Sequence, residues 1–475
     1  MVSLGLRQTA KYGIGLAAVK LTSFMMLPYM TQKLSPEEFG ELEVLMTLAA
    51  FSSILVGFGL VNALYRFSAK ANDTAARNEV AANVFGVTLV IGVFALLAGQ
   101  WVSPQIAGIL PGTADNVAVR LILVTLALEG VISIPLAWMR LQERADGFLL
   151  LNTSKELLQA ALVIGALANG YGVVGVVAAG AAASVLLASV LILRQYKETG
   201  VGFELTKSRA LLQYGYPMIV SGLAGFVVMG LDRWILGDSA GMEALGAYAI
   251  ALKFAVIAAF LMQPYGMWWF PRRIDMLTRV SADENTRYIC IGISAGVLAA
   301  TAVGILSPTV IRLTLPTSYH AAIEIVPWLV MARALKHVSE MVDVGCFAGE
   351  KTHVQMFIHL FSAALAAVGF WLFIPWYGVK GAVMVSLGVY LIRAILFFRY
   401  SQRTVKLPYP VARIVILLMA SFVAMWCVSQ VASAPLQLIV GMVTLLLLTV
   451  YAIAAALLPD PRIWLSEKAK RPIPC

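Results

Sequence analysis

Apolar stretches of about 20 residues, divided by short polar connectors, run the length of the chain. Each is long enough to cross roughly 30 Å of hydrocarbon at about 1.5 Å per residue. The pattern predicts about fourteen spans: 10–33, 42–65, 81–103, 118–138, 149–169, 172–193, 214–236, 247–268, 288–310, 323–344, 353–374, 378–399, 412–431 and 436–458. A lipid-exposed backbone must satisfy its own hydrogen bonds, and a barrel would show weaker alternating segments of about ten residues. The spans are therefore read as helices, and the fold class as an all-α polytopic membrane protein. Pro28, Pro135 and Pro217 fall inside spans as tolerable kinks, and the small-residue run 178–183 allows close helix contact.

The pattern also repeats. Tyr171-Gly172-Val173-Val174-Gly175 returns as Tyr377-Gly378-Val379-Lys380-Gly381, Phe39-Gly40 as Leu245-Gly246, and Gln142-Glu143-Arg144 as Gly349-Glu350-Lys351. Three matches in order point to a duplication of six spans. Six is an even number, so the copies share one orientation and are related by an axis along the membrane normal, as in transporters whose lobes rock about a cleft. The expected organisation is an N-lobe at 1–200 (spans 1–6), a C-lobe at 201–405 (spans 7–12), and a C-terminal helix pair (spans 13–14) with a cytoplasmic tail at 406–475.

Composition agrees with a bilayer: 60% of residues are hydrophobic, 13% are charged and the mean hydropathy is +0.85, whereas soluble proteins are about 25% charged. The formal charge of +10 does not indicate nucleic acid, because the basic residues sit in short connectors. Most fall on alternate loops, such as Arg140, Arg144, Arg272, Arg273, Arg399 and Arg403, while the opposite loops hold few and the segment Ser35–Glu41 is acidic. By the positive-inside rule both termini are cytoplasmic. Arg7 and Lys11 precede an apolar run too long for a secretory leader and without a small-x-small cleavage pattern, so it reads as the first span. Cys290, Cys346, Cys427 and Cys475 lie far apart without ligand-spaced histidines, so neither a metal nor a disulfide framework is expected. No phosphate-loop motif is present, no connector has room for a soluble catalytic domain, and neither a cofactor nor a catalytic residue is expected.

Ionisable residues inside spans cost about 2.5–3.5 kcal/mol each and so require partners or a wet cavity. Lys20, mid-span 1, is the first candidate for a cation lining a cleft, with an ion pair to Glu129 in span 4 as the structural alternative. In span 10, Arg333, Lys336, His337, Glu340 and Asp343 follow helical spacing and form one charged stripe that cannot face lipid. Lys253, Arg333 and Lys336 join Lys20 as substrate-binding cations; Glu129, His337 and Glu340 are candidates for ion coupling. Asp232-Arg233 reads equally as snorkelling, an interlobe pair or a substrate contact. Arg66 and Arg393 lie towards cytoplasmic helix ends and read as headgroup contacts. Trp101, Trp138, Trp268, Trp269, Trp371 and Trp376 read as interfacial belts.

Ser35-Pro36-Glu37-Glu38-Phe39-Gly40, Leu141-Gln142-Glu143-Arg144 and Ala348-Gly349-Glu350-Lys351-Thr352 resemble the polysaccharide-transporter family. That family holds the O-antigen and exopolysaccharide flippases of the multidrug/oligosaccharidyl-lipid/polysaccharide exporter superfamily. The resemblance implies two six-helix lobes that move undecaprenyl-diphosphate-linked oligosaccharide from the cytoplasmic to the periplasmic leaflet by alternating access, for surface polysaccharide biosynthesis. It also implies the bacterial inner membrane, membrane lipids as surroundings, and a polysaccharide polymerase with chain-length machinery as partners. An ion-coupled multidrug exporter of the same superfamily is the alternative, although no carboxylate lies between Lys11 and Lys33 to meet a drug cation. A membrane glycan polymerase or ligase would favour a long outer loop with paired acids or histidines, which the chain lacks.

Overall fold

The computed structural model describes residue 22 and residues 24–112, 115–348 and 353–459. In the first half the helices are α1 (Leu27–Lys33), α2 (Pro36–Val56), α3 (Phe58–Lys70), α4 (Thr74–Ile109), α5 (Asn116–Leu141), α6 (Ala145–Ala168), α7 (Gly172–Thr199), α8 (Leu205–Met229) and α9 (Leu231–Ala240). The second half adds α10 (Met242–Trp269), α11 (Arg273–Arg279), α12 (Ala282–Thr314), α13 (Ala322–Met341), α14 (Val344–Ala348), α15 (His353–Thr404), α16 (Val411–Ser429) and α17 (Ala434–Ala454). No strand occurs among the described residues.

Among the described residues, eleven helical stretches are long and apolar enough to cross a membrane. Three things account for the difference from fourteen. Helix α15 holds the expected spans 353–374 and 378–399 end to end, divided by non-helical Gly378 at φ 53° and ψ −131°. Helix α13, the expected span 323–344, carries Glu324, Arg333, Lys336 and Glu340 and is too charged to count as an apolar stretch. The expected first span, 10–33, lies outside the described residues except for its end at α1. Two of the eleven stretches, Pro36–Lys70 and Leu205–Ala240, are helix pairs broken at Gly57 and Gly230.

The repeated motifs have local causes. Ser35 caps α2 in a reciprocal box, its Oγ accepting from Glu38 N at 3.1 Å while Glu38 Oε2 accepts from Ser35 N at 2.8 Å, with Pro36 in the first turn. Gly40 lets α2 approach the start of α10, since a Cβ there would lie within 2.1 Å of the Met242 carbonyl oxygen. Gly172 and Gly378, equivalent in the two copies, have φ of 52° and 53°. Both need the left-handed region that glycine enters without a Cβ clash. Glu143 is a rarer non-glycine case at φ 59°, and its counterpart segment 349–351 lies outside the described residues.

The chain packs as two compact units, residues 1–245 and 246–475. In the first, Leu64, Phe85, Ile134 and Trp138 form a core among α3, α4 and α5. Helix α8 seats on α3 through Gly59, whose hypothetical Cβ would lie 2.6 Å from Gly215 Cα, the close approach that small residues permit in membranes. In the second, Trp269, Ile293, Phe397 and Leu417 are fully buried among α10, α12, α15 and α16. Trp138 and Trp269 are thus core residues rather than interfacial ones. Phe94, Leu97 and Trp101 instead project outward, as lipid-facing side chains do.

Helices α16 and α17 pack on α12, with Gly304 receiving Met425 and Gly441 receiving Ile305. Arg312 of α12 donates to the carbonyl oxygens of Ser429, Val431 and Ala432 at 3.4, 2.5 and 3.2 Å, satisfying groups at the end of α16. It also donates to Gln437 Oε1 at 3.2 Å; Gln437 in turn accepts from Thr309 at 2.8 Å and donates to the Val428 carbonyl at 2.9 Å.

Candidate functional site

In the second unit α13 packs against α12, α15 and α16. Lys336 Nζ donates to Glu340 Oε1 at 2.5 Å one turn away, both side chains being half-buried. His337 is buried and its Nε2 lies 3.0 Å from the Gly292 carbonyl oxygen of α12. Gly296 provides the room, since a Cβ there would meet the imidazole at 2.4 Å. Arg333, half-buried on the same helix, has no hydrogen-bond or ion-pair partner among the described residues. Just beyond the helix, Asp343 Oδ1 accepts from Arg273 Nη1 at 2.8 Å, and that guanidinium stacks over Phe347 at 3.8 Å. Burial, with Asp343 adding to it, pushes the neighbouring Cys346 thiol up to about 12. It therefore stays protonated as a small apolar filler.

Arg393 corrects the sequence expectation. It does not reach a headgroup: only 8% of it is exposed, it lies over the Phe397 ring at 5.5 Å, and its Nε has no hydrogen-bond partner among the described residues. Glu340 and Asp343 are within electrostatic reach of it, and His359 sits edge-on to Phe397 at 5.5 Å. The sequence signal was the stripe Ser386, Val389, Arg393, Phe397 and Ser401, which recurs at three- and four-residue steps and is buried throughout.

In the first unit, Lys20 lies outside the described residues. Glu129 is half-buried on α5 beside Gly57 and within electrostatic reach of Lys155 on α6, which is itself 3.1 Å from Glu156. The Asp232-Arg233 pair is interior to this unit: Arg233 Nε donates to Glu43 Oε1 at 2.8 Å and Nη1 to Asp232 at 3.3 Å and to the Met229 carbonyl. Trp234 Nε1 donates to the Val44 carbonyl at 3.4 Å, and its ring packs on Phe51 and Phe226. One guanidinium is thereby held between two buried carboxylates. Glu43 escaped notice because it follows the solvated acids Glu37, Glu38 and Glu41. Its four-residue spacing from buried Phe39 and Thr47 marks the inward face. Lys253, on α10 in the second unit, is half-buried. Arg66 is exposed and lies over the Tyr214 ring at 4.5 Å. Among the described residues no group of three His, Cys, Asp or Glu side chains is placed to hold a metal ion.

The described helices therefore hold buried, unevenly paired charge. A family model described as polysaccharide biosynthesis protein matches residues 6–276. The succinoglycan biosynthesis transport protein ExoT of Rhizobium meliloti (strain 1021) is 26% identical over 237 residues, 49% of this chain and 46% of that protein. The match thus spans about half the length of that curated relative. Among solved structures, the lipid II flippase MurJ in an inward closed conformation superposes with a TM-score of 0.71 at 9% identity, covering 95% of this chain and 99% of that one. An inward-facing multidrug resistance MATE family transporter of the MOP superfamily gives 0.59 at 16% identity, over 81% and 94%. At those identities the two structures speak to the fold alone. With more than half of its length matched by the family model, the chain belongs to the polysaccharide biosynthesis protein family.

Proposed function

We propose that this protein is a flippase that moves an undecaprenyl-diphosphate-linked oligosaccharide from the cytoplasmic to the periplasmic leaflet. The observation that carries the reading is Arg333, a half-buried guanidinium with no anionic partner among the described residues, on a helix where Lys336 and Glu340 engage each other. A planar guanidinium matches two phosphate oxygens at once and stays charged. Lys336, released from Glu340, is the second cation in this scheme, and Lys253 and Lys20 supply further positive charge. The lobes of the sequence repeat, 1–200 and 201–405, exchange access between the leaflets while residues 406–475 accompany the second. Both termini are cytoplasmic in the bacterial inner membrane, and a polymerase with chain-length machinery consumes the product.

Glu129, His337 and Glu340 are the groups we assign to ion coupling. Glu129 and Glu340 each have a lysine nearby whose hold an entering cation can relax. His337 is constrained by its contact with Gly292 and acts only if that contact opens. The MATE-like fold keeps a drug exporter as the competing reading. Against it, buried Glu43 is already engaged by Arg233 instead of being free for a drug cation.

The test is leaflet transfer of a labelled polyprenyl-diphosphate glycan in vesicles holding the purified chain. Transfer by the native protein, reduced at least tenfold by Arg333→Ala with protein level unchanged, supports the reading. Unimpaired transfer by that variant removes Arg333 from the mechanism. Chemical conversion of the glycan without transfer overturns the flippase itself.

A further inference from the structure

The first unit carries a groove that the transport site does not use. It occupies about 470 Å³ between α4 and the beginning of α8, walled by Val87, Val90 and Ile91 on one side and by Phe203, Leu205 and Leu212 on the other. The connector that forms one wall is firmly built. Gly202 N donates to the Ala82 carbonyl at 3.0 Å, Glu204 N donates to Asn83 Oδ1 at 2.8 Å, and a Cβ on Gly86 would fall within 1.9 Å of the Gly202 carbonyl oxygen. Lys207 ties the rim together, bonded to Glu79 and to Glu204 at 2.6 Å each.

Three polar side chains interrupt the apolar lining, all from the first turns of α8: Ser208, Arg209 and Gln213. Ser208 is 3% exposed and its hydroxyl has no hydrogen-bond partner among the described residues, an arrangement that calls for a ligand oxygen. Arg209 is exposed and has no ion-pair partner among the described residues, whereas the two carboxylates near it are taken up by Lys207. The charge on offer to a ligand is therefore positive. The walls are apolar, with Val90, Phe203, Leu205 and Leu212 exposed, so the rest of that ligand is hydrocarbon.

We propose that this groove is a binding site for one anionic phospholipid, with an acyl chain along Val87, Val90 and Leu212 and the phosphate against Arg209 and Ser208. The size fits: 470 Å³ equals the liquid volume of roughly sixteen waters. A methylene is of similar size, so the space suits a single acyl chain rather than a long polyprenyl tail. The position fits as well. The start of α8 follows the basic end of α7, with Arg194 and Lys197, which the positive-inside rule assigns to the cytoplasmic face, where anionic lipids lie.

The test is native mass spectrometry of the full chain with phosphatidylglycerol, phosphatidylcholine or polyprenyl phosphate added at equal concentration. One phosphatidylglycerol should be retained at least fivefold better than phosphatidylcholine. Arg209→Ala should erase that preference, a loss of about fivefold for one basic residue at an anionic surface. Val90→Trp, at an exposed position, should fill the groove and release the lipid while the heating midpoint stays native; Leu212→Trp provides an independent filling variant. Equal retention of both phospholipids, or retention unchanged in Arg209→Ala or in both filling variants, overturns the site. So does preferential capture of polyprenyl phosphate that the filling variants abolish, which would make the groove a seat for a polyprenyl tail.

Discussion

Replacing Arg273 by alanine removes the partner of Asp343 and leaves the carboxylate inside the second unit. The groups are 2.8 Å apart with side chains 11% and 8% exposed, so at an effective dielectric of about 20 their attraction is about 6 kcal/mol. Desolvating both charges offsets most of that, and the intact pair adds little net stability. Deleting one partner is different, because it strands the other; the cost is about 3–5 kcal/mol. Loss of the stacking on Phe347 at 3.8 Å adds about 1 kcal/mol. With roughly 2–4 °C per kcal/mol for a unit of this size, Arg273→Ala should lower the unfolding midpoint by roughly 10 °C or more. The double variant Arg273→Met with Asp343→Leu removes both charges at similar volume and should recover most of the loss. Tryptophan fluorescence of the purified full chain during heating reads this out, since Trp269 lies in the core of the same unit. A double variant as unstable as the single, or a single variant losing less than about 1 kcal/mol against the figure for a stranded buried charge, would refute the reasoning.

Two further outcomes follow from the packing. Gly172→Ala and Gly378→Ala each force an alanine into the left-handed region and should each cost about 1–2 kcal/mol. The sites belong to different units, so the losses should add, as a heating midpoint on the single and double variants will show. In the first unit, Arg233→Met removes the guanidinium from two buried carboxylates and should cost about 3–5 kcal/mol. Glu43→Gln keeps a hydrogen-bond acceptor and should cost less; size-exclusion chromatography after heating ranks the two, and the reverse order would contradict the assigned pairing.

The helical frame was legible because lipid imposes one rule on every span, and long apolar runs announce it. At the repeated motif, Gly172 and Gly378 share a positive φ of 52° and 53°, so the glycine in each copy of the pattern meets a backbone need that other residues rarely meet. The interior charges were harder. The stripe on α13 stood out through its helical spacing among apolar neighbours, yet spacing alone could not say that Lys336 is tied to Glu340 while Arg333 has no partner among the described residues. Arg393 was misread because distance from a helix end does not report which face is covered. That depends on how α15 lies against its neighbours, a tertiary fact. Glu43 and Arg233 are separated by nearly 200 positions, and no local pattern connects them. Lys20 is the one candidate cation outside the described residues, so its place in the scheme rests on the sequence.

The guanidinium of Arg312 gives the last two helices a standing that their position after the repeat does not suggest. Its donors are committed to carbonyls at the end of α16 and to Gln437 of α17, and Gly304 and Met425 interlock beside them. Cutting the chain after residue 405 would expose an arginine and a notched helix face to lipid. Because the pair is latched to α12, a fluorophore on outward-facing Met442 or Leu446 would ride with the second unit, giving a gauge of its displacement that leaves the interior untouched.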